Sequence, residues 1–280
     1  MQKRALAIHD ISCFGRCSLT VALPILSAAG IETTILPTAV LSTHTGGFSG
    51  YTVRDLTDDL RPIKEHWFTE KGITFHAIYS GYLASFEQLD IVKEYCDAFH
   101  KEDCLFFCDP VMGDNGVLYN GFTADFPKGM ASLCAKADLI IPNLTEATLM
   151  LGEEYPGDNY DRSYIESLLH RLAALGPKMV VLTGVIFDED KLGSACLDAA
   201  SGTIGYAFTP RIHGHFHGTG DVYGSVLIAA MMKGVPLARA IEIAGQFTYN
   251  SILRTLRDGT DVRFGVNFEE GLIDLAKIVE

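Results

Sequence analysis

Between Ala5 and Thr183 the chain alternates short apolar runs with longer amphipathic stretches, and no other feature constrains its fold as strongly. The runs Ala5–Ile8, Thr33–Leu36, Phe75–Tyr79, Cys104–Cys108, Leu139–Ile141 and Met179–Thr183 are apolar or β-branched with little interruption. Strands that alternate apolar and polar residues have one wet face; near-continuous runs predict strands covered on both faces. Between them the spacing predicts helices over Ser18–Ala29, Asp55–Lys71 (interrupted by Pro62), Phe86–His100, Phe122–Ala135 and Thr145–Leu151, with another over Tyr164–Leu175. In the first, Leu19, Ala22, Leu23 and Leu26 share a face and Gly30 ends it. Such alternation predicts a three-layer αβα fold: a mostly parallel central sheet with helices on both faces. Ser194–Leu197 and Thr203–Thr209, joined by Ala-Ala-Ser-Gly, predict an antiparallel hairpin on one edge. Helices over Thr219–Lys233, Pro236–Leu256 and Phe268–Val279 close the chain. Without a linker or an internal repeat, residues 1–280 read as one domain.

In open α/β sheets ligands lie beyond the carboxyl ends of the strands. The predicted strands lead into His9-Asp10-Ile11-Ser12, Ser42-Thr43-His44-Thr45, Ser80-Gly81-Tyr82, Asp109-Pro110-Val111-Met112-Gly113-Asp114, Pro142-Asn143-Leu144-Thr145-Glu146 and Thr183-Gly184. Nearly every strand end therefore offers small, hydroxylic or acidic groups. Gly218-Thr219-Gly220-Asp221 opens the apolar helix that follows. Glycines there let backbone N–H groups face an anion, and the aspartate is either a general base or a complement to the helix dipole. Asp109 and Asp114 suit magnesium or two tight turns. Asn143 and Glu146 suit a capping box, a metal–phosphate site, or both. Tyr82 suits stacking on a flat ring or a place in the core.

Composition narrows the partners. A formal charge of −13 argues against nucleic acid or an anionic membrane. It also leaves metal ions and helix N-termini to supply positive field to any phosphate donor. Seven cysteines stand at irregular spacing with no C-x-x-C pair, and most lie in apolar runs and read as buried thiols of a reducing cytoplasm. Neither a signal peptide nor a transmembrane run is expected. His213, His215 and His217 alternate on one face, but no carboxylate or cysteine joins them at zinc-site spacing. P-loop, dinucleotide and nucleophile-elbow motifs are absent from the sequence.

The segments Cys108–Asp114, Pro142–Glu146 and Gly218–Asp221, in that order, resemble the ribokinase-like superfamily and, within it, the pyridoxal kinase group. Ser42–Thr45 and Ser80–Tyr82 resemble the group's vitamer-binding segments. The resemblance implies ATP-dependent phosphorylation of the 5′-hydroxymethyl group of pyridoxal, pyridoxine or pyridoxamine. It implies Asp221 as base, with Gly218, Thr219 and Gly220 as the anion hole. It places Asp10, Cys17, Ser42, His44, Thr45 and Tyr82 around the ring. Asp109, Asp114, Asn143, Glu146, Thr183, Gly184 and Thr219 would meet ATP, with Asp109, Asp114 and Glu146 holding Mg2+. A monovalent cation (K+) and a homodimer are implied as well. The group often carries serine where this chain has Asp10, which keeps hydroxymethylpyrimidine kinase open; that relative usually carries cysteine where this chain has Asp221. A sugar or nucleoside kinase and a non-catalytic binder of small molecules are the further alternatives.

Overall fold

The computed structural model describes residues 2–279. In chain order the elements are β1 (Arg4–Ser12), α1 (Leu19–Ala28), β2 (Glu32–Leu41), β3 (Val53–Asp55), α2 (Thr57–Thr69), β4 (Ala77–Ser80), α3 (Phe86–Phe99) and β5 (Leu105–Cys108). Next come β6 (Gly113–Asp114), β7 (Val117–Leu118), α4 (Phe126–Cys134), β8 (Leu139–Ile140), α5 (Leu144–Leu151), α6 (Arg162–Ala173) and β9 (Met179–Val185). The hairpin β10 (Lys191–Asp198) and β11 (Thr203–Pro210) precedes α7 (Thr219–Met232), α8 (Leu237–Arg257) and α9 (Leu272–Ile278).

Nine strands form one sheet in the order β11-β10-β9-β8-β5-β4-β1-β2-β3. Every pairing from β9 to β2 is parallel, and the β10–β11 hairpin joins β9 antiparallel. The two faces are buried separately. Leu6, Ile8, Ile78, Phe106 and Val180 pack with the helices α3 to α6 on one side. Ala5, Tyr79, Phe107, Leu139 and Val181 pack with α1, α7 and α8 on the other. Burial of both faces is why the strands read as continuous apolar runs.

Several boundaries differ from expectation. His9–Ser12 is not a loop; it continues β1, with a register shift between His9 and Ile11 where Pro37 lies opposite His9. A proline is tolerated in β2 at such an irregularity, where the ladder needs no donor. β3 adds an antiparallel strand to the far edge, and β6 and β7 make a small separate hairpin. The predicted helix at Phe122 begins at Phe126, and the one at Tyr164 begins at Arg162, where Asp161 caps Tyr164 N–H at 2.8 Å. The closing helix is a 3-10 turn (Glu269–Gly271) followed by α9.

Asp138 anchors the end of the sheet opposite the strand-end loops. Its carboxylate accepts Phe106 N–H at 2.8 Å, His100 Nε2 at 2.7 Å and Lys178 Nζ at 2.7 Å. Burial alone would raise its pKa, but Lys178, the amide and His100 together hold it below the ordinary value. A depressed carboxylate stabilises the fold above its unfolded pKa and loses that contribution as pH falls through the folded one. Asp138→Ala strands a buried amide and an imidazole, so it should cost roughly 2–4 kcal/mol at pH 7. Urea denaturation should show that deficit, and show it narrowing below about pH 4. An unchanged midpoint at pH 7 would refute the anchoring role.

Candidate active site

The polar loops converge over the carboxyl ends of β1, β4, β5 and β8, around the start of α7. Gly218 precedes that helix at φ 75°, ψ 1°, a left-handed conformation that favours glycine. A Cβ there would collide with the Arg16 carbonyl oxygen, so the 15–18 loop presses on the helix mouth. Gly220 faces open space, with nothing within 4 Å of where a Cβ would stand. The first N–H groups of any helix lack intrahelical acceptors, so this mouth offers donors and room together. Thr219 Oγ1 donates to Phe216 O at 3.0 Å and braces the turn.

Asp221 lies in the first turn of α7, partly exposed at the floor of the cleft. Burial pushes its carboxyl up to about 7, the Ser18 amide opposes that, and the nearby Asp10 charge adds to it. Asp109, at the end of β5, is pushed well up by burial and then by the Asp221 charge. Glu146 is also pushed well up, by burial first and Asp109 next. Its two oxygens accept Asn143 N–H at 2.8 Å and Met112 N–H at 3.2 Å. Asn143 completes the capping box and donates Nδ2–H to Gly113 O at 2.9 Å, which ties α5 to the Asp109–Asp114 loop. The capping box is thus formed, and the capping glutamate lies close enough to Asp109 to feel its charge.

Other residues divide. Asp10 is buried and accepts Ser18 Oγ–H at 2.6 Å and Ser12 Oγ–H at 3.3 Å. Cys17 lies near both Asp221 and Asp10, and burial followed by those charges drives its thiol pKa well up. Tyr82 is half-buried, its ring 5.7 Å from Phe122 at 48°. Thr45 is exposed, as is Ser42, whose Oγ accepts Thr52 N–H at 2.9 Å. His44 has both ring nitrogens engaged: Nδ1 accepts Gly46 N–H at 3.2 Å, so Nε2–H donates to Arg263 O at 2.6 Å. It clips its loop to the C-terminal segment. Asp114 is exposed in the β6–β7 turn and bonds Asn115 N–H and Nδ2–H at 2.9 and 3.0 Å. Thr183 lies inside β9, its N–H on Pro142 O at 2.9 Å, and Gly184 follows at φ 77° beside open space.

Some groups gave no signal in the sequence. Tyr79 and Ser225 sit below Asp109 and Asp221; Gly224 makes room for the Tyr79 hydroxyl, where a Cβ would clash. His9 is fully buried, and burial drops its pKa to about 3, so it is a neutral imidazole against Tyr79. Beyond the ends of β9 and β11 lies a cavity of about 590 Å³ lined by Tyr160, Arg162, Ile186, Phe187, Arg211 and His213, among others. Its wall includes Ile186, two residues beyond Gly184, and the Arg211–His217 segment leads from it to Gly218. Among the described residues no three His, Cys, Asp or Glu side chains form a ready metal cage. Magnesium typically takes one or two carboxylates and completes its shell with water and substrate phosphates, so facing Asp109 and Glu146 fit it. Two buried, mutually repelling carboxylates are the chemical condition a divalent cation relieves.

Known proteins share this fold. A putative phosphomethylpyrimidine kinase from Bacteroides thetaiotaomicron, in a crystal form with pyridoxal, superposes with TM-score 0.93 at 37% identity, covering 98% of this chain and 96% of that one. Pyridoxal kinase from Lactobacillus plantarum gives 0.90 at 34% identity, covering 99% and 98%. Pyridoxal kinase of Dictyostelium discoideum is 25% identical over 276 residues, 91% of this chain and 87% of its own. The sequence pattern of the phosphomethylpyrimidine kinase family matches residues 26–264, and the chain is a kinase belonging to that family.

Proposed function

We propose that this kinase transfers the γ-phosphoryl group of ATP to the 5′-hydroxymethyl group of pyridoxal, pyridoxine or pyridoxamine. The observation that carries the reading is the meeting of Asp221, the open mouth of α7 and the Asp109–Glu146 pair at one point of the cleft. A primary alcohol needs alignment and charge neutralisation more than covalent help. Asp221 would accept the alcohol proton as the oxygen–phosphorus bond forms, with ADP as the leaving group. Donors at Gly218–Gly220 would bind the anionic oxygens of the group in transit. Asp10, Cys17 and Tyr82 would bound the ring, and Ser42, Thr45 and the His44-clipped loop its outer rim. Asp109, Glu146 and Asp114 would hold Mg2+, which would supply positive charge to the phosphates. Asn143, Thr183 and Gly184 would line the phosphate path, and the cavity beside Arg211 would take the nucleotide base.

The chain would act as a single domain, since one sheet carries every strand-end loop. Its seven unpaired cysteines support a reducing, cytoplasmic setting. Among the described residues no helix is long and apolar enough to cross a membrane. The open β3 edge, where Val53 is 56% exposed, supports a homodimer. Potassium rests on the resemblance alone.

Hydroxymethylpyrimidine phosphorylation is the second reading, favoured by the family match and by Asp10, which suits a ring amine. ATP turnover with magnesium against the three vitamers and hydroxymethylpyrimidine separates them. Vitamer kcat/KM should be at least about tenfold higher. The reverse ranking would establish the second reading, and tight vitamer binding without ATP consumption would end both.

A further inference from the structure

Ser18 has φ 57° and ψ −129°; only Asn115 shares a positive φ with it among the described non-glycine residues. A serine in that region is strained and persists only where its surroundings over-determine it. It precedes α1 as the cap residue, yet its side chain makes no cap bond. The hydroxyl donates instead to Asp10 Oδ1 at 2.6 Å. Its carbonyl accepts Val21 N–H at 3.0 Å and Ala22 N–H at 2.9 Å, and its backbone bridges Ile11 of β1. Two residues earlier the Arg16 carbonyl fills the space a side chain on Gly218 would need, and Cys17 Sγ lies beside it. One short loop, ending in the buried Ser18, therefore touches both Asp10 and the Gly218 turn that opens α7.

We propose that Ser18 is a positioning residue for phosphoryl transfer: its hydroxyl fixes Asp10 towards the ring, and its strained backbone holds the 15–18 loop against the Gly218 turn at the mouth of α7. The inference rests on the kinase reading of the same site. A hydroxyl used only for helix capping would point at α1, and a residue with no bearing on the chemistry would not hold a conformation that glycine adopts at lower cost.

The two contacts are separable by substitution. Ser18→Ala removes the hydroxyl and keeps the backbone conformation. The KM of the acceptor alcohol should rise about tenfold, the loss of one hydrogen bond to a charged group, with kcat within about twofold. Ser18→Gly removes the hydroxyl and frees the backbone. It should show the same rise in KM together with a kcat at least about tenfold lower, and its Tm should not fall, because glycine tolerates the conformation. A structural role alone would make Ser18→Gly more stable and leave kcat and KM in place. Wild-type KM in Ser18→Ala, or wild-type kcat in Ser18→Gly, overturns the proposal. A wild-type protein inert towards every acceptor overturns the kinase reading and this inference with it, whereas an active wild type with unmoved variants overturns this inference alone.

Discussion

Asp221→Asn should abolish most turnover while making the protein more stable. The side chain keeps its size and its place at the mouth of α7 but can no longer take a proton, so kcat should fall about 10²–10⁴-fold. The stability gain follows from burial. The Asp221 carboxyl is raised to about 7, whereas an unfolded aspartate titrates near ~4. Between those values the folded protein holds a proton that the unfolded chain has released. The group's stabilising contribution is therefore intact at low pH and lost as pH rises from about 4 to 7. An asparagine carries no such penalty, so at pH 8 the variant should gain up to about 4 kcal/mol, less where Asp109 and Asp10 readjust. Wild-type kcat/KM should rise through a pKa near 7, and the residual activity of the variant should lack that limb. A kcat within a few-fold of wild type would remove Asp221 from the chemistry.

Gly218→Ala and Gly220→Ala should fail in opposite ways. At position 218 the new methyl group meets the Arg16 carbonyl, and the backbone already has φ 75°. Neither can yield without moving the loop that carries Cys17 and Ser18. A stability loss of roughly 2–4 kcal/mol should accompany a fall in kcat/KM of about 10² or more. At position 220 no atom beyond its chain neighbours and the local helix backbone lies within 4 Å of the new methyl group, so denaturation midpoints should hardly move. That methyl group would stand in the space where the phosphoryl group is handled, and kcat/KM should still drop by about 10–10². If Gly220→Ala were fully active, the space above the helix mouth would not be the phosphoryl path.

What could be read from the chain beforehand follows from how local each feature is. The parallel strands were legible because burial on two faces leaves an unbroken apolar signature, as in Leu105–Cys108. β3 was not, since Val53, Arg54 and Asp55 are all exposed and carry no pattern. The outer half of β1 looked like a loop because Asp10 and Ser12 are polar, yet they are buried beneath the cleft. Gly218–Asp221 and Asn143–Glu146 could be found because a helix start is written in consecutive residues. Ser18 could not: its conformation is imposed by Ile11, Asp10 and the Gly218 turn, which meet it only in three dimensions. His44 reads as a ligand-facing histidine until the Arg263 carbonyl, 219 residues away, is found at its Nε2. The cavity beside Arg211 likewise joins segments that no spacing rule connects.

The clip formed by residues 261–265 bears on how the protein is made. Arg16 N–H reaches Phe264 O at 2.9 Å, the Phe14 and Phe264 rings stand 5.0 Å apart, and Phe48 stacks on Phe264 at 6.2 Å. The first and second strands thus leave the ribosome well before the segment that seats their loops. Closing so long a loop is slow, and the early loops have nothing to fold against until it closes. A nascent chain should therefore build the β1–β2–β4 platform first and gain vitamer affinity only in a later step. Slowing translation across the codons for residues 261–265 would then delay ligand binding without delaying the appearance of secondary structure.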